Sequence, residues 1–118
     1  MLPSYQNSTD LLVNATENKL YSKLIEQLNK DFSLANFDFH LSENSTPLAL
    51  KEALKKAVKN LILTDFNTYN ALLYIVDVSE ESIKKIESSD VDIYSEHIVF
   101  LILKRIWKKV WFRAKYSS

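Results

Sequence analysis

Apolar side chains recur at helical spacing over most of the chain. Leu20, Leu24, Leu28 and Phe32 repeat every four residues with Tyr21 and Ile25 beside them, which predicts an amphipathic helix over 15–34. Asn14-Ala-Thr-Glu17 has capping-box spacing, a side-chain oxygen for free N–H groups and a Glu reaching back. Residues 1–13 are largely polar and rich in Asn, Ser and Thr, with a small Leu11-Leu12-Val13 cluster, and they read as a loose arm or an extra turn of helix. We set them apart as an arm from a single helical domain over 14–118. Next, Phe37, Phe39 and Leu41 alternate with Asp38 and His40, the period of extended backbone. A lone extended segment has no strand to pair with, so it should connect two helices and lay its Phe rings on the core. Thr46 and Pro47 then supply a cap and a first-turn proline.

The stripe of the following segment, 47–76, changes face. Leu50, Ala53, Leu54, Ala57, Val58 and Leu61 share one arc, whereas Ile62, Phe66, Tyr69, Leu73 and Val76 follow an arc rotated by roughly 80°. Either the helix kinks or breaks near Thr64 and Asp65, with Asp65 capping the second piece, or one helix changes its packing partner. Asp77-Val-Ser79 closes this segment, and Ser79 is a suitable N-cap for a short helix over 80–88 anchored by Ile83 and Ile86. Glu80 and Glu81 suit its positive end, and each precedes a lysine by four residues.

The last helix should start after Asp90 or Asp92 and end near Lys115. Ile98, Leu101 and Ile102 make its first half apolar on every side, which predicts a path through the middle of the protein. Its second half, within FLILKRIWKKVWFRAK, separates by face. Leu103, Ile106, Trp107, Val110 and Trp111 fall in an arc of roughly 140°, and Lys104, Arg105, Lys108, Lys109, Arg113 and Lys115 occupy the other half. Both tryptophans therefore continue the core stripe. Phe112 falls among the cations, where a neighbouring helix or the N-terminal arm covers it or it is exposed.

Composition narrows the fold. A chain of 118 residues suits one domain. It contains no glycine, and hairpin turns, Schellman caps and phosphate-cradling loops all favour a residue that tolerates positive φ. We expect an all-α bundle of about four helices with the C-terminal helix central. The absence of cysteine excludes disulfides, thiolate metal sites and a Cys nucleophile. The N-terminus lacks the pattern of a signal peptide, and the longest apolar run, Ile98 to Leu103, is far short of the ~20 residues of a membrane span. A cytoplasmic protein is the resulting expectation.

Formal charge is zero, but the six cations of the last helix leave an acidic body behind them. Candidate catalytic chemistry is sparse. The chain has two histidines, His40 and His97, and neither Glu-x-x-His nor His-Glu-x-x-His occurs. Glu96 and His97 are adjacent and cannot face one way on a helix. Asp38 and His40 share one side of the extended segment, but two ligands are too few for a metal. No catalytic residue, metal or cofactor is expected, and the protein reads as a non-enzyme. Three Asn-x-Ser/Thr triplets, at Asn7, Asn14 and Asn44, are read as caps rather than glycosylation acceptors.

The segments LLYIVDVSEE (72–81) and FLILKRIWKKVWFR (100–113) resemble a group of small, uncharacterised bacterial helical proteins over the C-terminal two thirds of the chain. The resemblance implies a bacterial helical protein and brings no activity or site with it. The candidate binding patch is Lys104, Arg105, Lys108, Lys109, Phe112 and Arg113, because six uncompensated cations exceed what a helix C-terminus needs. The first expectation is a non-enzymatic interaction module that binds a protein partner or itself. The alternative is sequence-nonspecific nucleic-acid binding through the same basic face.

Overall fold

A computed structural model of the chain describes residues 5–116. It contains six helices in the order α1 (Ser8–Glu17), α2 (Tyr21–Leu34), α3 (Pro47–Thr64), α4 (Phe66–Val76), α5 (Glu80–Lys84) and α6 (Val91–Tyr116), and no strand among the described residues. The protein is all-α, with six helices where about four were expected.

The starts follow side-chain capping. Thr46 accepts from the Ala49 N–H at 3.2 Å, with Pro47 in the first turn. Ser79 accepts from the Ser82 N–H at 3.1 Å. Asp90 accepts from the N–H groups of Asp92 and Ile93 at 2.8 and 3.2 Å, which starts α6 at Val91. The changed stripe of 47–76 is a true break. Asp65 ends α3 and caps α4, accepting from the Thr68 N–H at 3.2 Å and its hydroxyl at 2.6 Å. Phe66, expected on the second arc, is instead 57% exposed, and Leu72 takes a buried position. The short helix stops at Lys84, before the expected 88, and buries no residue.

The N-terminal third differs most. The expected arm falls partly outside the described residues, but 8–13 are helical. Ser8, Leu11, Leu12 and Ala15 lie at the spacing of one helix face and are all buried. Asn7 caps this helix through the Asp10 N–H at 2.9 Å. Asn14 therefore lies inside α1 and caps nothing; the Asn18 side-chain amide donates to its carbonyl and side-chain oxygens. The single helix expected over 15–34 is two, divided by a turn over Asn18 to Leu20.

That turn belongs to a set. Lys19, Asn36 and Asp77 have φ of 60°, 57° and 72° and follow the ends of α1, α2 and α4. At each end the next residue donates five residues back, as Leu20 to Ala15, Phe37 to Phe32 and Val78 to Leu73. These are Schellman motifs built without glycine. The second also carries the apolar contact that accompanies such caps, with the Phe37 and Phe32 rings 5.3 Å apart edge-to-face.

The connection before α3 is laid on the core as the alternation predicts. Phe39 joins Phe32 and Phe37 in one aromatic group. The Asn29 side chain clamps the segment, accepting from the Leu41 N–H at 2.8 Å and donating to its carbonyl at 2.9 Å.

α6 packs against α1, α2, α3 and α4. At the usual rise its 26 residues span about 39 Å, matching the 40 Å long dimension of the fold. Ile98, Val99, Ile102, Leu103, Ile106 and Trp107 are fully buried along it. Each such side chain contributes about 1.5–3 kcal/mol or more relative to exposure.

A charged seam joins α3 to the start of α6. Lys51 lies 2.8 Å from Glu96, Lys55 lies 3.1 Å from Asp92, and Lys59 lies 3.5 Å from Asp92. Glu96 Oε2 also approaches Lys55 at 3.2 Å, off the alignment of a good hydrogen bond, and acts there as an ion pair. The Glu96 hydrogen bond raises Lys51, and the Asp92 hydrogen bond raises Lys55. Burial pushes the Glu96 carboxyl up, but its lysine bonds outweigh that and hold it below the ordinary range. Asp92 is lowered chiefly by its hydrogen bond from Lys55.

Two outcomes follow from these features. Replacing Lys19 by Gly removes the cost of a left-handed non-glycine residue, partly offset by a floppier unfolded chain. Urea unfolding should show a gain of about 0.5–1 kcal/mol, and a loss would contradict the left-handed turn. The seam gives stability a plateau with two edges. Depressed carboxylates contribute fully above their unfolded values of about 4 and lose that share as pH falls through the folded ones. Raised lysines contribute fully below about 10.4 and lose it as pH rises through the folded values. Unfolding midpoints across pH should show both edges, and Glu96→Gln should flatten the acid edge.

Candidate functional site

The second half of α6 carries cations in two adjacent rows at i, i+4, i+8 spacing. Arg105, Lys109 and Arg113 form one row, and Lys104, Lys108 and Phe112 form the other. The two rows meet different fates.

The first row is stitched to the body. Arg105 donates to Asp77, at the end of α4, at 3.0 Å. Lys109 donates to Asp31 of α2 at 3.0 Å, and Asp31 is only 3% exposed. The Gln27 amide donates to the other Asp31 oxygen at 2.9 Å, and Arg113 donates to the Gln27 carbonyl oxygen at 3.0 Å. Gln27 and Asp31 thus form a buried polar strip on α2, and the cations of α6 close over it. A buried carboxylate needs a charge and donors around it, and this arrangement supplies both.

The expectation of six uncompensated charges is therefore corrected. It treated neighbours in sequence as the whole environment, whereas Asp77 and Asp31 lie 28 and 78 residues from their partners. One signal was legible: Gln27 and Asp31 fall on the same face of α2 as Leu24, Leu28 and Phe32, so polar groups were marked for burial there.

The second row faces outward. Lys104 and Lys108 are exposed and have no carboxylate within ion-pair distance among the described residues. Lys104 Nζ lies 4.9 Å from the Phe100 ring centroid. Phe112 is 37% exposed and stacks on exposed Tyr116, with centroids 5.6 Å apart and planes at 12°. The pair is open to solvent, Tyr116 more than Phe112.

The tryptophans divide. Trp107 is fully buried, and its indole N–H donates to the Tyr5 hydroxyl, which in turn donates to Asn14 Oδ1 at 3.3 Å. Trp111 packs edge-on against Trp107 at 5.7 Å but is only half-buried, with Lys115 Nζ 4.6 Å from its ring centroid. At Trp111 an aromatic does lie beneath a cation, at the border between core and basic face, at a separation typical of a cation–π contact.

The residues weighed for catalysis lie apart. His97 is exposed while Glu96 turns to the α3 lysines, and Asp38 and His40 are both exposed. No group of three or more His, Asp or Glu side chains converges on a metal-sized site among the described residues. No described helix is long and apolar enough to cross a membrane. Comparison with family models, characterised proteins and solved structures finds no match, and none of these bears on the resemblance to small bacterial helical proteins.

Substituting Asp31 by Asn preserves volume but leaves Lys109 facing a neutral group in a largely buried setting. Stability should fall by about 1–3 kcal/mol. Adding Lys109→Met should recover much of that loss, because no unpaired charge then remains. Denaturation of the double-mutant cycle measures this coupling. A coupling within error of zero would mean that the pair is solvated.

Proposed function

We propose that the protein is a non-enzymatic interaction module that binds an acidic protein partner through the outward row of α6. The observation that carries this reading is the contrast between the two rows. One is engaged within the chain by Asp77, Asp31 and Gln27, while Lys104, Lys108 and Lys115 stay exposed beside the stacked Phe112 and Tyr116.

A wet face with an aromatic pair at its C-terminal end and lysines alongside has the make-up of a protein-binding patch. Rigid aromatic side chains supply buried contact area, and rim charges steer a partner of opposite sign. α6, which we read as the centre of the bundle, offers a rigid support. A second copy of the chain is one source of acidic surface, in keeping with its acidic body. We take the setting to be the cytoplasm.

The second reading is sequence-nonspecific nucleic-acid binding through the same lysines. Pairing of Arg105 and Lys109 with carboxylates weakens it, because those cations have counter-ions already. With Arg113 held by Gln27, the exposed cations of α6 outside that row are Lys104, Lys108 and Lys115, which gives phosphates a salt slope of about −3.

Fluorescence anisotropy with an acidic amphipathic peptide, duplex DNA and single-stranded RNA separates these readings. The peptide should bind at about 50 mM salt, and both Phe112→Ala and the Lys104→Glu, Lys108→Glu pair should weaken it about tenfold. Preference for RNA or DNA, with affinity indifferent to Phe112→Ala, would replace the proposal with the second reading. Binding of none of the probes, together with a mass that stays monomeric at all concentrations in light scattering, would overturn it.

A further inference from the structure

A cleft of about 410 Å³ lies between the first half of the basic face and the short α5. Lys104, Arg105 and Lys108 line it from α6, and Ser79 and Ser82 line it from the α5 side. Half-buried Val78 and Leu101 add apolar wall, and Tyr5, held by Trp107, also lines it. Its volume falls within the range of small-ligand sites, about 300–1,000 Å³.

The polar groups have capacity to spare. Ser79 Oγ accepts from the Ser82 N–H, and the two hydroxyls lie 2.7 Å apart, sharing one hydrogen bond. Two hydroxyl protons serve one such bond, so one proton remains to donate outward whichever hydroxyl gives the other. Arg105 commits one Nη2 to Asp77, leaving other guanidinium donors. Asp77 is the one carboxylate on the wall, against three cations. A concave site with an excess of positive charge, a spare hydroxyl donor and an apolar wall is suited to a compact anion on a small apolar body.

We propose that this cleft binds a phosphate group, carried by a small phosphomonoester or as the free anion, between Lys104, Arg105 and Lys108 on one side and the Ser79–Ser82 hydroxyl pair on the other. A dianion matches the excess charge better than a carboxylate, and its oxygens can meet donors on both walls at once. Val78 and Leu101 face the ester's organic part. Asp77 opposes the anion and weakens the site, so the site carries its own gain-of-affinity test. This proposal does not rest on the acidic-partner reading: Asp77, Ser79 and Ser82 lie outside the outward row of α6.

The isotope-labelled full chain can be titrated with phenyl phosphate, inorganic phosphate and, at matched ionic strength, chloride, following backbone amides by NMR. Saturable shifts are expected at Val78, Ser82 and Leu101 with the phosphates and not with chloride. Tighter binding of phenyl phosphate identifies an ester as the ligand, and equal affinity identifies the free anion. Ser82→Ala and Lys108→Gln should each weaken binding by about threefold or more. Asp77→Asn, which keeps a residue tolerant of the left-handed turn, should tighten it by about threefold or more. Phe112→Ala should leave it unchanged, so failure here is distinguishable from failure of peptide binding. Shifts that chloride reproduces, or an affinity that Asp77→Asn does not raise, would overturn the proposal.

Discussion

Covering α6 is the constraint on which the rest of the arrangement depends. From Ile98 to Leu103 every side chain is buried or half-buried, and no single neighbour can cover a helix on all its sides. Four other helices share the task, and the chain supplies them by breaking what would otherwise be longer helices. The Asp65 break lets α3 and α4 each present its own apolar stripe. The turn at Lys19 does the same for α1 and α2. α5 is left without buried residues, and it becomes one wall of a cleft rather than part of the core.

Beyond Leu103 the same helix emerges with polar sides, and its charges are sorted by what lies opposite. Asp31 sits on the buried stripe of α2, so it has little access to water and draws Lys109 against it. Arg105 meets Asp77, the residue that also closes α4 by a left-handed turn. One aspartate thus terminates a helix, holds a guanidinium and lowers the positive potential of the adjoining cleft. Lys104 and Lys108, which no carboxylate meets among the described residues, are open to a partner or an anion, and Arg105 keeps guanidinium donors beyond the one that Asp77 takes.

A chain without glycine still needs positive φ to end its helices. It places Lys19, Asn36 and Asp77 there, and tertiary packing meets the cost, of order 1–2 kcal/mol for a typical side chain. The Phe32–Phe37 contact shows how: the residue after the turn is pressed onto the helix it has left. Glycine content was therefore a sound guide to the absence of hairpins and a poor guide to how these helices terminate.

Several features were readable because their causes are local. Helical spacing marked the stripes of α2, α3 and α6, and Thr46, Ser79 and Asp90 marked starts because a cap satisfies N–H groups only three residues away. Rotation of the stripe near Thr64 marked the break, since the angle between successive side chains does not depend on what they meet. α1 was misread because Ser8, one of its four buried positions, is polar and Ala15, another, is small, and the Lys19 turn has no glycine or proline to announce it. The site was legible only as a charge count. Sequence alone determined that six cations would share the wet side of the last helix, because helical geometry orders residues along one element. Only the tertiary structure decided which of them stay available, because charge neutralisation acts through space and Asp31 and Asp77 are brought to α6 by the packing of other helices.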